Sequence, residues 1–523
     1  MTRQNNEDPA VSEGSRKAAP IRDVESRGGE KGISVNEQAK QLTLFSETAA
    51  NSDAKANEPT PIRPCSPCRP GAEVGPKSEN KGEKCTPTAM EEVVSHLREA
   101  FRKVKSNKGA PGPDGRTIAE VREHLDDILP ELGQRLLNGS YSPGAIRRVW
   151  IPKASGGRRG LGIPDVIDRM VQEAVRRVLE PMYDPMFHAS SHGFRPGRSC
   201  HSAIAEATKH VEEGYEWVVD IDLKNFFDGV CHQRLMSRLA LRIEDKRLLV
   251  LISRWLRADV ILPEGVKVSR DQGVPQGGPL SPLLSNIVLD EFDKELEQRG
   301  HRFVRYADDC NIYVGSERAG KRVMASLTVF LEKRMRLEVN LDKSAVARVE
   351  ERHFVGFSLR REPMDGVVEV HLSKRSKDRL NNRVRELTPR NWGGSLRGCI
   401  AKLNVYLRGW LGFFRICSPR VGWILITVDA HIRRRLRAIQ LKHWKRKRTI
   451  VRKLIQLGVS QKQAWRRIYQ GRKSWWVLSH DPAVDRGLRN AYFAERGLFS
   501  LRDQFDAILA ALAAPDQLTL KLG

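Results

Sequence analysis

Between Leu396 and Phe414 the apolar residues Leu396, Ile400, Leu403, Leu407, Trp410, Leu411 and Phe414 recur at steps of three and four, with Arg397, Lys402 and Arg408 between them. That spacing predicts one amphipathic helix. A helical period also begins near residue 91 and stops at Asn107 to Gly115, where three Gly and two Pro impose a loop. A second punctuated stretch, Ile151 to Pro164, predicts a tight turn with cations on both limbs. Strand-like and helical patterns then alternate to about residue 370, which predicts an α+β core, and the rest reads as helical. Two strand segments carry carboxylates. In Trp217 to Asp228, strict alternation turns Val219, Ile221 and Leu223 to a core and Asp220 and Asp222 to a groove. In Phe303 to Val314, β-prone residues flank Ala307-Asp308-Asp309, a strand, a bend and a second strand.

Residues 1–90 contain a single aromatic, Phe45, and cannot bury enough apolar surface to offset the entropy of ordering, so they read as a disordered tail. Cys65 and Cys68 resemble half a zinc site but lack partners. The eight cysteines are too scattered for a disulfide scaffold. No apolar run approaches a membrane span and the polar start carries no secretory signal, which together predict a cytoplasmic protein without a membrane partner. The division expected is a tail over 1–90, an α+β unit over 91–370, a helical unit over 371–445 and a basic helical unit over 446–523.

Charge narrows the partners. Across 523 residues, 90 Lys and Arg oppose 64 Asp and Glu for a net charge of +26, which points to a polyanion. From residue 430 to 480 there are sixteen Lys and Arg and no Asp or Glu, interleaved with Trp444, Trp465, Tyr469, Trp475 and Trp476. Cations with aromatics suit phosphate contacts plus base stacking. The carboxylates of the two strand segments form the hard oxygen set that Mg²⁺ prefers. Two such ions about 3.5–4 Å apart can activate a 3′-hydroxyl and stabilise leaving pyrophosphate.

The ordered motifs resemble those of reverse transcriptases, and specifically the reverse transcriptase/maturase encoded by bacterial group II introns. Tyr306-Ala-Asp-Asp309 matches the family's catalytic turn and Asp222-Leu-Lys-Asn-Phe-Phe-Asp228 its first catalytic strand. The resemblance makes Asp222, Asp308 and Asp309 the catalytic, metal-binding triad for two Mg²⁺ ions and sets Asp220 aside. Gln272 to Pro282 resembles the nucleotide-pocket motif, with Gln276 in it, and Ser190 to Ser199 a fingers motif. Asn107 to Gly115 is similar to the extension loop of non-retroviral members. Leu337 to Lys343 and His353 to Phe357 resemble the motifs that close the palm and grip the primer.

The resemblance implies a right-hand polymerase: fingers and palm with an antiparallel sheet over 91–370, a helical thumb/maturase domain over 371–445 and a DNA-binding segment over 446–523. Lys153 and Arg159 would bind the triphosphate, although Gly160 stands where the family has Pro, leaving Arg158 a rival to Arg159. Phe227, or Phe226, would exclude a 2′-hydroxyl, and Lys343 would protonate pyrophosphate. Arg408, Trp410, Arg433, Arg434, Arg435, Lys445, Arg446, Lys447 and Arg448 are the expected nucleic-acid contacts. No Cys follows Cys417, so the ending resembles relatives without a nuclease.

The function implied is RNA-directed DNA synthesis, with binding of group II intron RNA for splicing and retrohoming. Its partners would be that RNA, an RNA template with a DNA primer, a DNA target and deoxynucleoside triphosphates. Two other readings fit the same residues: an RNA-binding splicing cofactor without polymerase activity, and a free-standing intron-derived polymerase in repair or defence.

Overall fold

The computed structural model describes residues 90–152, 157–471 and 474–513. Residues 1–89 of the expected tail, with Cys65 and Cys68, and Lys153 lie outside the described residues, and Met90 already belongs to a helix. Helix Met90–Ser106 buries Val93, Leu97, Ala100, Phe101 and Val104 at helical spacing, with Glu91 and Glu92 at its positive end and Lys103 and Lys105 at its negative end. It lies on helix Val166–Tyr183. The loop that follows is tied to that helix. Arg169 donates to the Ala110 carbonyl at 2.6 Å, and the Asp114 amide donates to Asp165 at 3.1 Å.

A first sheet has the strand order β2-β1-β4-β5, with β1 Ile146–Pro152, β2 Arg158–Ile163, β4 Val260–Ile261 and β5 Lys267–Val268. The second is wholly antiparallel, in the order β6-β7-β3-β8, with β3 Trp217–Ile221, β6 Arg302–Tyr306, β7 Asp309–Val314 and β8 Ala345–Arg348. Strands β9 Phe357–Arg361 and β10 Val368–Leu372 form a separate hairpin.

The second sheet is covered on both faces, and strand alternation divides its residues between two cores. Val219, Ile221, Phe303 and Ile312 join the core built with helices that include Met90–Ser106, Val166–Tyr183 and Ser281–Gln298. Val218, Val304 and Tyr313 join another core, shared with helix Cys200–Glu212, the β9-β10 hairpin and the C-terminal helices. The expected open groove beneath Asp220 is therefore absent. Asp220 is buried and accepts hydrogen bonds from Arg352, including one of 2.9 Å from Nε.

The C-terminal part is helical as expected, and helix Leu396–Phe414 buries all seven apolar residues that defined its stripe. Helix Gly422–Trp444 ends where Lys445 takes a positive φ of 57°. That break separates helices and not cores. Asp429 in this helix accepts the Leu501 and Arg502 amides, capping helix Leu501–Ala513, and Arg437 donates to the Leu488 carbonyl. Residues on both sides of the expected boundary at 445 thus share one packed interior.

Candidate active site

The register of β3 on β7 sets the site. Asp220 lies opposite Asn311 and Ile221 opposite Cys310, so Asp222, one residue past the strand, comes level with Asp309. Tyr306 pairs with Asp309, leaving Ala307 and Asp308 as a two-residue turn between β6 and β7. Such a turn requires a positive φ, and Ala307 takes it at 58° without being glycine. The carboxylates therefore gather at the strand ends, as the sequence predicts.

Their electrostatics fit a cation. Burial pushes Asp222 up to about 6, with the Asp308 and Asp220 charges adding to the shift and Lys343 opposing it, its ammonium 3.8 Å away. Burial also raises Asp308, against the pull of Arg159 and Arg305. Two partly buried carboxylates that repel each other are stabilised by a divalent ion between them. Asp309 is half-buried at the start of β7, beside Cys310, whose thiol is raised by burial first and then by Asp293, with Asp309 adding. Among the described residues no group of three carboxylates, His or Cys is placed to hold a metal ion by itself.

Of the residues expected in a nucleotide pocket, Arg159 and Gln276 lie together near this end of the sheet. Arg159 donates from Nε to Gln276 Oε1 at 2.8 Å, and the Gly162 amide donates to the Gln276 carbonyl at 2.7 Å. Arg158 is exposed, so Arg159 is the one turned toward the carboxylates. Gly160 has a local reason: a Cβ there would lie 2.0 Å from Arg148 Nε, so the Arg148 side chain needs that gap. Phe226 and Phe227 are both buried, at 3% and 8% exposure, with rings 5.2 Å apart. The Phe227 carbonyl accepts the Val274 amide at 2.6 Å, which sets Phe227 against the pocket loop. Sequence reasoning missed Arg352. It binds Asp220 and donates to the Lys343 carbonyl at 2.9 Å, holding the loop that carries Lys343. Its only signal was position, one residue before the His353 to Phe357 motif.

The expected nucleic-acid contacts separate into two groups. Lys445, Arg446, Arg448 and Arg408 are exposed, and Arg408 sits over the Phe499 ring at 5.7 Å. Arg433 is half-buried, Arg434 lies 4.1 Å over Trp476, and Lys447 donates to the Gly471 carbonyl at 3.2 Å. Two expectations are corrected. Trp410 is only 8% exposed and packs 4.6 Å from Phe414, because it occupies the apolar stripe of its helix. Arg435 is buried, donating to Thr388 Oγ1 and to the Thr388 carbonyl, both at 2.6 Å, so its guanidinium joins two helices.

Two family models match the chain. The family model described as "Reverse transcriptase (RNA-dependent DNA polymerase)" matches residues 151–359, and "Group II intron, maturase-specific domain" matches residues 377–455. Protein YkfC of Escherichia coli is 33% identical over 350 residues, 59% of this chain and 89% of that protein. Group II intron-encoded protein LtrA of Lactococcus lactis is 38% identical over 208 residues, 39% of this chain and 34% of LtrA. Nuclear intron maturase 4 of Arabidopsis thaliana is 34% identical over 135 residues, 26% of this chain and 17% of that protein. The chain thus spans most of one relative and about a third or less of the other two. With an RNA-directed DNA polymerase domain built around the aspartate turn and a maturase domain following it, the chain belongs to the group II intron-encoded reverse transcriptase/maturase family.

Proposed function

We propose that the chain copies an RNA template from a DNA primer by metal-assisted phosphoryl transfer, and that it binds group II intron RNA to promote splicing and retrohoming into a DNA target. The observation that carries the first half is the meeting of Asp222 and Asp308 at the end of β3 and the β6-β7 turn, with Arg159 and Gln276 beside them. Asp222 and Asp308, with Asp309 adjacent, would hold the two Mg²⁺ ions, which when bound activate the primer 3′-hydroxyl and neutralise the leaving pyrophosphate. Arg159, fixed by Gln276, neutralises the triphosphate, with Lys153 of the same sequence stretch as its expected companion. Phe227 bounds the sugar and leaves no room for a 2′-hydroxyl. Lys343, held by its salt bridge to Asp222 and by Arg352, delivers a proton to pyrophosphate. The intron-binding half rests on the maturase domain and on the exposed Arg408, Lys445, Arg446 and Arg448.

The test is paired. Primer extension with Mg²⁺ and protein-dependent splicing of the RNA flanking the reading frame are measured for the parent and for Asp308→Ala. DNA synthesis should collapse while splicing persists, because the splicing chemistry belongs to the RNA. Retained synthesis would overturn the assignment of Asp308. Absence of any responsive flanking RNA would leave a free-standing polymerase.

A further inference from the structure

Arg305 stands where strand alternation calls for an apolar residue. It shares a face of β6 with Phe303, which enters the core, and Arg305 is fully buried beneath the sheet. All of its donors are engaged. Nε and Nη2 donate to Asp293 Oδ1 and Oδ2 at 2.7 and 2.5 Å, Nη2 to Ser191 Oγ at 2.7 Å, and Nη1 to Asn286 Oδ1 at 3.1 Å. Nη1 also donates to the Ala307 carbonyl at 2.7 Å, inside the aspartate turn. Asp293 and Asn286, both fully buried, sit seven residues apart on one face of helix Ser281–Gln298.

A second contact closes a ring around the turn. Asn286 donates from Nδ2 to the Gly193 carbonyl at 2.9 Å, and Gly193 lies so close to the turn that a Cβ on it would stand 2.1 Å from the Ala307 nitrogen. The His192 amide donates to the Arg305 carbonyl at 2.8 Å and the Arg305 amide to the Ser190 carbonyl at 2.9 Å, so this segment lies along β6 like another strand. The turn is thus clamped from two sides while Ala307 holds a left-handed conformation that is strained for a non-glycine residue. Such strain persists only where the surroundings over-determine it. Stability does not explain the arrangement, since a buried ion pair is often no better than apolar residues of similar volume.

We propose that Arg305 is a positioning residue that, through Asp293, Asn286 and Gly193, fixes the Ala307-Asp308 turn so that Asp308 meets Asp222 at metal-binding separation. This rests on reading Asp308 as a metal ligand. Arg305→Lys keeps the charge and loses the planar fork. It should lower kcat by about tenfold or more with KM for deoxynucleotide within about twofold, and raise the Mg²⁺ concentration for half-maximal rate. Asn286→Ala leaves the ion pair intact and serves should Arg305→Lys not fold. Independently of activity, hydrogen exchange at residues 306–309 should quicken selectively in both variants, and Mn²⁺ binding followed by electron paramagnetic resonance should weaken several-fold. A folded variant with parental exchange at the turn and parental Mn²⁺ affinity overturns the proposal. So does a loss of activity that only tracks the folded fraction. Failure of the underlying reading is distinguishable, because Asp308→Ala would then retain synthesis.

Discussion

An aspartate in water ionises near pH 4, so one that holds its proton to higher pH marks a site where the fold has worked against its charge. Asp165 is such a group. Burial pushes it from 3.8 to about 6, against the hydrogen bond from the Asp114 amide and with the Asp114 and Asp168 carboxylates adding to the shift. Because the folded state then binds a proton that the unfolded state has already lost, its contribution to stability declines as pH rises from about 4 to about 6 and stays lower above that. Asp165→Asn removes the titration. The parent's melting temperature should therefore fall more than the variant's between pH 5 and pH 7.5, and equal falls would show that Asp165 ionises normally. Phe227→Ala tests the sugar gate: ribonucleotide incorporation relative to deoxyribonucleotide should rise, and a shift seen only in Phe226→Ala would move the gate to the neighbour. The meeting of Asp222 with the Asp308-Asp309 pair was legible because each lies in a short run of consecutive motif residues. Arg305, Asn286 and Asp293 were not, because an arginine within a strand carries no mark of which face it will take or which distant helix will receive it.

At the scale of elements, a residue's neighbours along a helix decide what it can do. Trp410 and Arg408 stand two positions apart on helix Leu396–Phe414, one in the buried stripe and the other exposed. Trp410→Ala should cost about 3–5 kcal/mol of stability, read by chemical denaturation, through loss of buried aromatic surface. Arg408→Ala should stay within about 0.5 kcal/mol of the parent, as surface changes do. Comparable losses from both would mean that the stripe is misread. The helix itself was fully legible, since a period near 3.6 held for nineteen residues. The surroundings of β3 were not. Alternation showed that Asp220 faces away from Val219 and Ile221, but strands from residues 302–314 and 345–348 and the loop carrying Arg352 come from far along the chain. What covers a sheet face is a tertiary fact, absent from the segment's own pattern.

For the whole molecule, the net charge of +26 makes nucleic-acid affinity a counterion-release process. Reversing Lys445, Arg446 and Arg448 to Glu should flatten the dependence of log affinity on log salt by roughly 0.7–0.9 for each phosphate that is no longer neutralised. An unchanged slope in a salt titration would assign these cations to a solvated surface. The charge run was visible in the sequence, yet its division into free and committed cations was not, since Arg435 is engaged by Thr388 from another helix. The sheet that carries the aspartates has one wall in each of two interiors, and Val218, Val304 and Tyr313 face the one furnished largely by the C-terminal helices. Helix Cys200–Glu212 and strand β9 continue that interior to Phe413 and Phe414, so severing the chain after β10 would bare His201 and Phe357, and the polymerase half is not a detachable module. The same architecture bears on inheritance. A lineage selected only for its helices would still have to keep the sheet in repair, and the scaffold for DNA synthesis would outlast the need for its carboxylates.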